Sequence, residues 1–232
     1  VTVTLTPVLS PTISSESDLD SVDVGESVTL SASETPNKSD QIPISGFSWD
    51  TDSDGATDVN GVTTVQSWPE PGNYSVRLSV TSTDSRSAST TRTIAVSDMS
   101  PPTVSMSPSG QITKGFGEEM SVSASFTDNW GVESIDWLFD GSIVLSNYSI
   151  SEPTSTLSIQ VSDEYSAGEH VASIIVTDKS GISTRQDVTV IFMDVSAPVI
   201  SPYEAQIEVE SGDPTILQVF AQDNQSEGLD YT

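Results

Sequence analysis

Residues 47–55 read Phe-Ser-Trp-Asp-Thr-Asp-Ser-Asp-Gly, an aromatic segment that runs directly into an acidic turn. Because successive side chains of a strand point to opposite faces, Phe47 and Trp49 are expected on the same face. A second pattern follows at residues 71–80, which read Pro-Gly-Asn-Tyr-Ser-Val-Arg-Leu-Ser-Val. Its apolar side chains also alternate, so both patterns predict strands with one buried face.

Together the two patterns resemble the PKD family of Ig-like modules. In that family an aromatic-Trp-Asp-x-Asp-x-Asp-Gly turn precedes a Pro-Gly-x-Tyr-x-Val-x-Leu-x-Val strand, and both occur here in the same order. The resemblance covers residues 11–97. It implies an extracellular β-sandwich that acts as a spacer or adhesion module, and it leaves the role of the parent protein open.

The composition narrows the classes of partner. The 232 residues include 34 acidic and 7 basic side chains, for a formal net charge of −27. Nucleic acids and anionic membranes bind positive patches, so neither is expected as a partner. The absence of cysteine excludes disulfides and thiolate metal sites. No segment shows a helical period or the length of apolar sequence that membrane insertion needs, and the predicted fold class is all-β.

The chain also repeats itself. Trp137 takes the place of Trp49 and Gly168 that of Gly72, which predicts tandem Ig-like antiparallel sandwiches with separate cores. The strict alternation at the start of the chain predicts a further strand. The predicted domains are the last strand of a preceding domain, a PKD-like sandwich, a second Ig-like sandwich and the incomplete start of a third, over residues 1–6, 7–98, 99–194 and 195–232.

The acidic turn is the first candidate metal site. Its carboxylates occupy positions 1, 3, 5 and 9 of an EF-hand-like loop, and hard cations such as Ca²⁺ prefer several oxygen ligands. Position 12 is Gly61 rather than glutamate, so the loop is not an EF-hand. A solvated turn whose side chains bond to their own backbone remains the other interpretation. The four residues are Asp50, Asp52, Asp54 and Asp58.

A second candidate metal site is predicted at the linker between the two sandwiches. In an Ig-like sandwich the B–C and F–G loops lie at the same end. Those loops would carry Asp128 and Asp178, and the chain enters that end from Asp98. The three carboxylates could therefore meet and bind Ca²⁺, although aspartate is also a common turn former. The next module would repeat the arrangement with Asp194, Asp223 and Asn224.

No residue pattern indicates catalysis, so the chain is predicted not to be an enzyme. The single histidine, His170, aligns with Tyr74 at the start of a strand and is expected to be a hydrogen-bonding corner residue. Hydrolase, metalloprotease and phosphate-loop motifs are missing from the sequence. Trp49 and Trp137 are expected in the cores. Trp68 and Trp130 are the candidates for exposed aromatic side chains, and they lie on different modules.

Four Asn-x-Ser sequons are candidate N-glycosylation sites if the chain is exported. They begin at Asn37, Asn73, Asn147 and Asn224.

The sequence as a whole predicts non-catalytic spacer or adhesion repeats of a large exported cell-surface protein, stiffened by Ca²⁺. The expected partners are neighbouring Ig-like modules of the same chain, other surface proteins or glycans. The high acidity suits a salt-adapted prokaryote, and an archaeal surface protein fits well. The alternative is a set of accessory modules of a secreted hydrolase, either a protease or a glycanase.

Overall fold

The structure is a computed structural model that describes residues 8–36, 43–162, 164–195, 197–201, 211–212 and 220–222. Within these ranges the regular elements are all strands, which confirms the predicted all-β class. The strands are β1 (Val22–Asp23), β2 (Val28–Ser31), β3 (Ile44–Asp50), β4 (Val59–Asn60), β5 (Thr63–Gln66), β6 (Gly72–Ser82), β7 (Ser87–Ser97), β8 (Thr103–Ser107), β9 (Ile112–Gly115), β10 (Glu119–Thr127), β11 (Val132–Phe139), β12 (Ser142–Asn147), β13 (Thr154–Gln160), β14 (Gly168–Asp178), β15 (Ser183–Met193), β16 (Val199–Ser201) and β17 (Phe220–Gln222).

The described residues form two compact units. The first contains the residues up to Pro101 together with Asp128–Gly131 and Asp178–Ile182, and the second contains the remainder. The strand predicted at residues 1–6 lies outside the described residues, as does most of the third module predicted at 195–232. Asn37, Asp223 and Asn224 also lie outside them.

The first unit has a five-stranded sheet in the order β1-β7-β6-β3-β4 and a two-stranded sheet formed by β2 and β5. Strand β1 pairs with β7 in parallel, whereas the other pairs are antiparallel. The predicted alternation is observed, because the inward side chains of β2 and β6 are fully buried. They are Val28 and Leu30 on β2, and Val76, Leu78 and Val80 on β6.

Trp49 lies at the centre of the first core, as predicted. Its side chain is fully buried, and its indole N–H donates a 2.9 Å hydrogen bond to the carbonyl of Gly61. Phe47 is half-buried and packs against the same core. The indole is thus both packed and satisfied as a donor, so it fixes the position of β3 against the chain that follows β4.

Two details of the first unit concern which side chains face its core. In β5 the polar Thr64 faces inward, whereas Val65 is 63% exposed. The register explains this, because Thr64 is paired with Leu30 and opposite residues share one face of a sheet. The expectation that Trp68 is exposed was wrong, since it is buried with its ring centroid 5.6 Å from that of Tyr74.

The second unit has its own core between a three-stranded sheet, β13-β10-β8, and a five-stranded sheet, β12-β11-β14-β15-β9. Trp137 is fully buried there, as predicted, and its indole N–H donates to the Ser155 hydroxyl over 3.0 Å. Strand β10 shows the alternation most clearly. Its buried side chains are Met120, Val122, Ala124 and Phe126.

Each unit contains, within itself, an equivalent corner hydrogen bond, and the one in the second unit confirms the prediction for His170. The Tyr74 hydroxyl donates a 2.9 Å hydrogen bond to the carbonyl of Glu70, four residues earlier. In the second unit His170 Nε2 lies 2.9 Å from the carbonyl of Ser166, also four residues earlier. The imidazole of His170, near the start of β14, therefore has the same structural role as the phenol of Tyr74, near the start of β6.

Tyr74→Phe is expected to lower the free energy of unfolding of the first unit by about 1 kcal/mol, the usual value of one intramolecular hydrogen bond. The ring would remain packed on Trp68, so only the hydroxyl is lost. Urea unfolding followed by circular dichroism measures the change. Tyr148→Phe is the matched control, because Tyr148 is 69% exposed and its substitution should have almost no effect.

Candidate functional site

The acidic turn joins β3 to β4, and three of its four predicted ligands come together there. Asp50, Asp52 and Asp54 each present a carboxylate oxygen, and these atoms lie within 4.8 Å of one another. Asp58 is engaged differently. Its Oδ2 accepts hydrogen bonds from the backbone N–H and the hydroxyl of Thr51, both over 2.7 Å. These bonds hold the pKa of Asp58 below its ordinary value, and they give it the role of a turn cap.

One carboxylate oxygen of each of these three aspartates accepts a hydrogen bond from a backbone N–H group of the turn itself. Asp52 Oδ1 accepts from the N–H of Asp54, Asp54 Oδ1 accepts from that of Ala56, and Asp50 Oδ2 accepts from that of Gly55. The side chains of Asp52 and Asp54 are exposed, so water also solvates them. The exception is Asp50 Oδ1, which is buried without a hydrogen-bond partner.

A second carboxylate group forms from Asp98, Asp128 and Asp178, all of which belong to the first unit. Asp98 directly follows β7, Asp128 directly follows β10, and Asp178 is the last residue of β14. One oxygen from each side chain lies within 4.8 Å of the others. The structure thus brings together the three residues that the sequence predicted to converge. They are far less exposed than the acidic turn, since Asp98 is 7% and Asp178 only 1% accessible.

In two of these carboxylates one oxygen is held by two backbone donors. Asp128 Oδ1 accepts from the N–H groups of Trp130 and Gly131, over 2.9 and 2.7 Å. Asp178 Oδ1 accepts from those of Ser180 and Ile182, both over 2.8 Å. Such turns fix the orientation of each carboxylate, so its second oxygen has a defined direction.

The second carboxylate oxygen of Asp128 and of Asp178 lacks a hydrogen-bond donor. Asp128 Oδ2 and Asp178 Oδ2 are buried and make no hydrogen bond. A buried acceptor left without a partner costs about 1–3 kcal/mol, and more if it is charged. In Asp98, by contrast, Oδ2 accepts from the Ser180 hydroxyl over 2.7 Å and Oδ1 from the N–H of Ser100 over 3.3 Å.

A hydrogen-bond network beside this group contains Asp23, which the sequence analysis did not single out. Asn129 Nδ2 donates to Asp23 Oδ1 over 3.2 Å, and the Ser100 hydroxyl donates to Asp23 Oδ2 over 2.5 Å. Burial alone would raise the pKa of Asp23. Hydrogen bonds from Ser100, the N–H of Met99, Asn129 and the N–H of Val24 outweigh it, so the pKa lies below its ordinary value. With its oxygens engaged, Asp23 supports the site rather than belonging to it.

The lysine in this region does not neutralise the carboxylates. Lys179 Nζ lies over the ring of Trp130, 5.9 Å from its centroid. Among the described residues, the ion pairs within 4.0 Å are formed by other side chains. A cation–π contact of this kind holds the lysine at the indole.

His170 lacks the arrangement of a catalytic base. Its Nδ1 lies 2.6 Å from Asp140 Oδ2 and its Nε2 2.9 Å from the Ser166 carbonyl, so both ring nitrogens face acceptors. Burial alone would lower the pKa of His170, but the contacts with Asp140 and Ser166 raise it above its ordinary value. The ring packs 4.6 Å from that of Phe192, inside the second core.

The other predicted surface features are simpler. Asn73 and Asn147 are exposed, as a glycan acceptor must be. Trp68 is buried and Trp130 packs against the first core, so these two indoles do not form an exposed aromatic platform for sugars. Within the described residues no helix is long and apolar enough to cross a bilayer.

The chain is similar to one protein family and to several solved structures. The family model described as PKD domain matches residues 9–97. Fibronectin(III)-like modules of Clostridium thermocellum CbhA are 17% identical over 79% of this chain and 95% of theirs, with a TM-score of 0.36. The PKD1 domain of Vibrio anguillarum Epp is 20% identical over 41% of this chain and all of its own, with a TM-score of 0.31.

A further PKD1 domain, from the Vibrio cholerae metalloprotease PrtV, is 24% identical over 41% of this chain and 100% of its own, with a TM-score of 0.30. Among curated protein sequences none matches this chain. The family model, the aromatic-acidic turn at β3 and the Pro-Gly-x-Tyr strand at β6 cover the same segment. Residues 9–97 of this chain are therefore similar to a PKD domain.

Proposed function

We propose that this chain is a run of non-catalytic spacer or adhesion modules of an exported cell-surface protein. A PKD domain joined to an Ig-like sandwich suggests a structural or adhesion module. The observation that carries the proposal is the presence of two separate hydrophobic cores, each with its own buried tryptophan. Modules that bury their own cores can be added in series without depending on their neighbours for stability.

Its location is proposed to be extracellular. PKD domains are typical of extracellular proteins, and a net charge of −27 would keep a surface-exposed array soluble at high salt. The exposed Asn73 and Asn147 offer places for glycans if the chain is exported. The proposed partners are further Ig-like modules of the same chain and, beyond them, surface proteins or glycans.

The location can be tested on intact cells of the source organism with antibodies raised against this chain. Labelling of intact cells, and loss of the label after external protease treatment, would support a surface array. Label found only in the culture medium, together with hydrolase activity encoded in the same reading frame, would support the alternative of accessory modules of a secreted enzyme. Label confined to the cytoplasm would contradict both.

The acidic turn is proposed to bind Ca²⁺ weakly, through Asp50, Asp52 and Asp54. Its exposed carboxylates resemble the low-affinity end of calcium sites, with a Kd of about 10⁻⁴–10⁻³ M. In the variant that combines Asp52→Asn with Asp54→Asn, calcium-dependent NMR shifts at residues 50–58 are expected to disappear. Asp20→Asn and Glu70→Gln together form the control, because they remove two exposed charges elsewhere in the same unit. Shifts at residues 50–58 that persist unchanged in the double variant would contradict this assignment.

A further inference from the structure

We propose that Asp98, Asp128 and Asp178 form a binding site for a calcium-like divalent cation within the first unit. A cluster of acidic side chains is common on protein surfaces and is not a site by itself. Here Asp98 and Asp178 are buried and Asp128 is half-buried, and one carboxylate oxygen from each lies within 4.8 Å of the others. The proposal of a cation site at these three residues does not depend on the proposed spacer function of the chain.

The two unpartnered oxygens are the strongest indication of a ligand. Asp178 is 1% exposed, yet its Oδ2 has no donor, and the same holds for the buried Asp128 Oδ2. Buried charges in proteins are normally paired or coordinate a metal. The role of turn former explains only Oδ1 of each residue, because that oxygen accepts the backbone N–H groups. A cation would supply the missing partner for Oδ2.

The alternative partners are already engaged elsewhere. Lys179 sits over Trp130, and the Ser180 hydroxyl donates to Asp98 rather than to the two unpartnered oxygens. Asn129 donates to Asp23 and to the carbonyl of Val24, over 3.2 and 3.0 Å. Like charges this close repel one another, and a divalent cation reverses the sign of that interaction.

The ligand chemistry favours calcium over other metals. The group offers oxygen atoms alone, without the imidazole or thiolate that zinc and copper prefer. Calcium accepts six to eight oxygens in flexible geometry, whereas magnesium demands a near-ideal octahedron and gives up its water reluctantly. Three carboxylates from separate segments, with water as the remaining ligands, suit calcium better than magnesium.

The test is calcium titration by calorimetry and thermal melting of the full chain, with EDTA-treated protein as the starting point. We expect binding at the triad, and a rise in Tm of about 10 °C at a calcium concentration about 100 times Kd. Magnesium should bind at least about tenfold more weakly, given its stricter geometry. A chain whose Tm is the same in EDTA and in millimolar calcium, or that binds magnesium as tightly, would overturn the proposal.

Asp178→Asn separates a metal ligand from a turn former. Asparagine keeps an Oδ1 that can accept the N–H groups of Ser180 and Ile182, so the turn is retained, but the negative charge is removed. Calcium affinity is expected to fall at least about tenfold. Without calcium, the Tm is expected to stay equal or rise, since a repulsive charge has gone. A lower Tm in EDTA combined with unchanged calcium affinity would show a purely structural role.

Two further variants keep the result interpretable. Asp128→Asn tests the second unpartnered oxygen by the same logic, in case Asp178→Asn fails to fold. The combination of Asp52→Asn and Asp54→Asn should leave the main calcium-dependent rise in Tm intact. If that rise is lost in this double variant and kept in Asp178→Asn, the cation belongs to the acidic turn and the present assignment is wrong.

Discussion

Trp137→Ala is expected to lower the free energy of unfolding of the second unit by about 3–5 kcal/mol, the usual range for removing a large buried aromatic ring. The indole is fully buried among Met120, Ile135, Ile174 and Val190 in the same core. Its N–H also donates to the Ser155 hydroxyl, so the substitution removes both a ring and a satisfied donor. Urea unfolding followed by far-ultraviolet circular dichroism measures the loss.

Trp49→Ala should produce a loss of similar size in the first unit, because Trp49 is equally buried and equally satisfied. Tyr148→Ala provides the surface control and should change stability by less than about 0.5 kcal/mol. If either tryptophan could be removed at a cost below about 1 kcal/mol, it would not be the centre of a packed core.

His170→Ala is expected to lower the free energy of unfolding of the second unit by about 3 kcal/mol at pH 6. The ring stacks on Phe139 and packs against Phe192, so its removal leaves a cavity in the core. The substitution also removes the contacts with Asp140 and the Ser166 carbonyl. Chemical unfolding at pH 6 measures the difference from the wild type.

The same contacts make the stability of the second unit depend on pH. The folded state raises the pKa of His170 above its unfolded value of about 6.5. The contribution is therefore complete below about pH 6.5 and is lost as the pH rises through the higher folded pKa. The titratable groups that face the ring are Asp140 and Tyr165. We expect stability to fall as the pH rises above about 6.5.

His170→Tyr is the matched control for this pH dependence. A phenol at this position would donate to the Ser166 carbonyl, as Tyr74 donates to Glu70 in the first unit. It does not titrate in the same pH range, so the fall in stability above pH 6.5 should disappear. A wild-type stability that is flat from pH 6 to 8.5 would mean that His170 does not hold its proton in the folded state.

The sequence was sufficient to predict the strands whose buried and exposed residues alternate. Strands β6 and β10 carry that pattern over most of their length, and Trp49 and Trp137 mark the two cores. The hairpin turn between β11 and β12 consists of Asp140 and Gly141, whose positive φ angles of 48° and 79° suit a two-residue turn.

Register was harder to predict, because a shift of one residue moves every side chain of a strand to the opposite face. In β5, pairing with Leu30 turns Thr64 inward and leaves Val65 exposed. The exposure of Trp68 was predicted wrongly for a related reason. It lies beyond the end of β5, so the alternation of that strand does not reach it.

The candidate site was partly predictable. The B–C and F–G loops of an Ig-like sandwich lie at one end and the chain enters that end from Asp98, which was enough to select Asp98, Asp128 and Asp178. Asp23 gave no such signal, because its role depends on donors up to 106 residues away in sequence, such as Asn129. The spacing of Asp58 suggested a fourth ligand. Its carboxylate instead accepts hydrogen bonds from Thr51, and these depend on the geometry of the turn, which the spacing does not reveal.

The central claim is that the chain contains two self-contained β-sandwich cores. Amide hydrogen exchange of the wild type, Trp49→Ala and Trp137→Ala, resolved to individual strands, tests it most directly. The claim predicts that Trp137→Ala reduces protection in β10, β11 and β14 while β3 and β6 keep wild-type protection, and that Trp49→Ala does the reverse. Loss of protection in both sets of strands from either single substitution would show one shared core and would contradict the account.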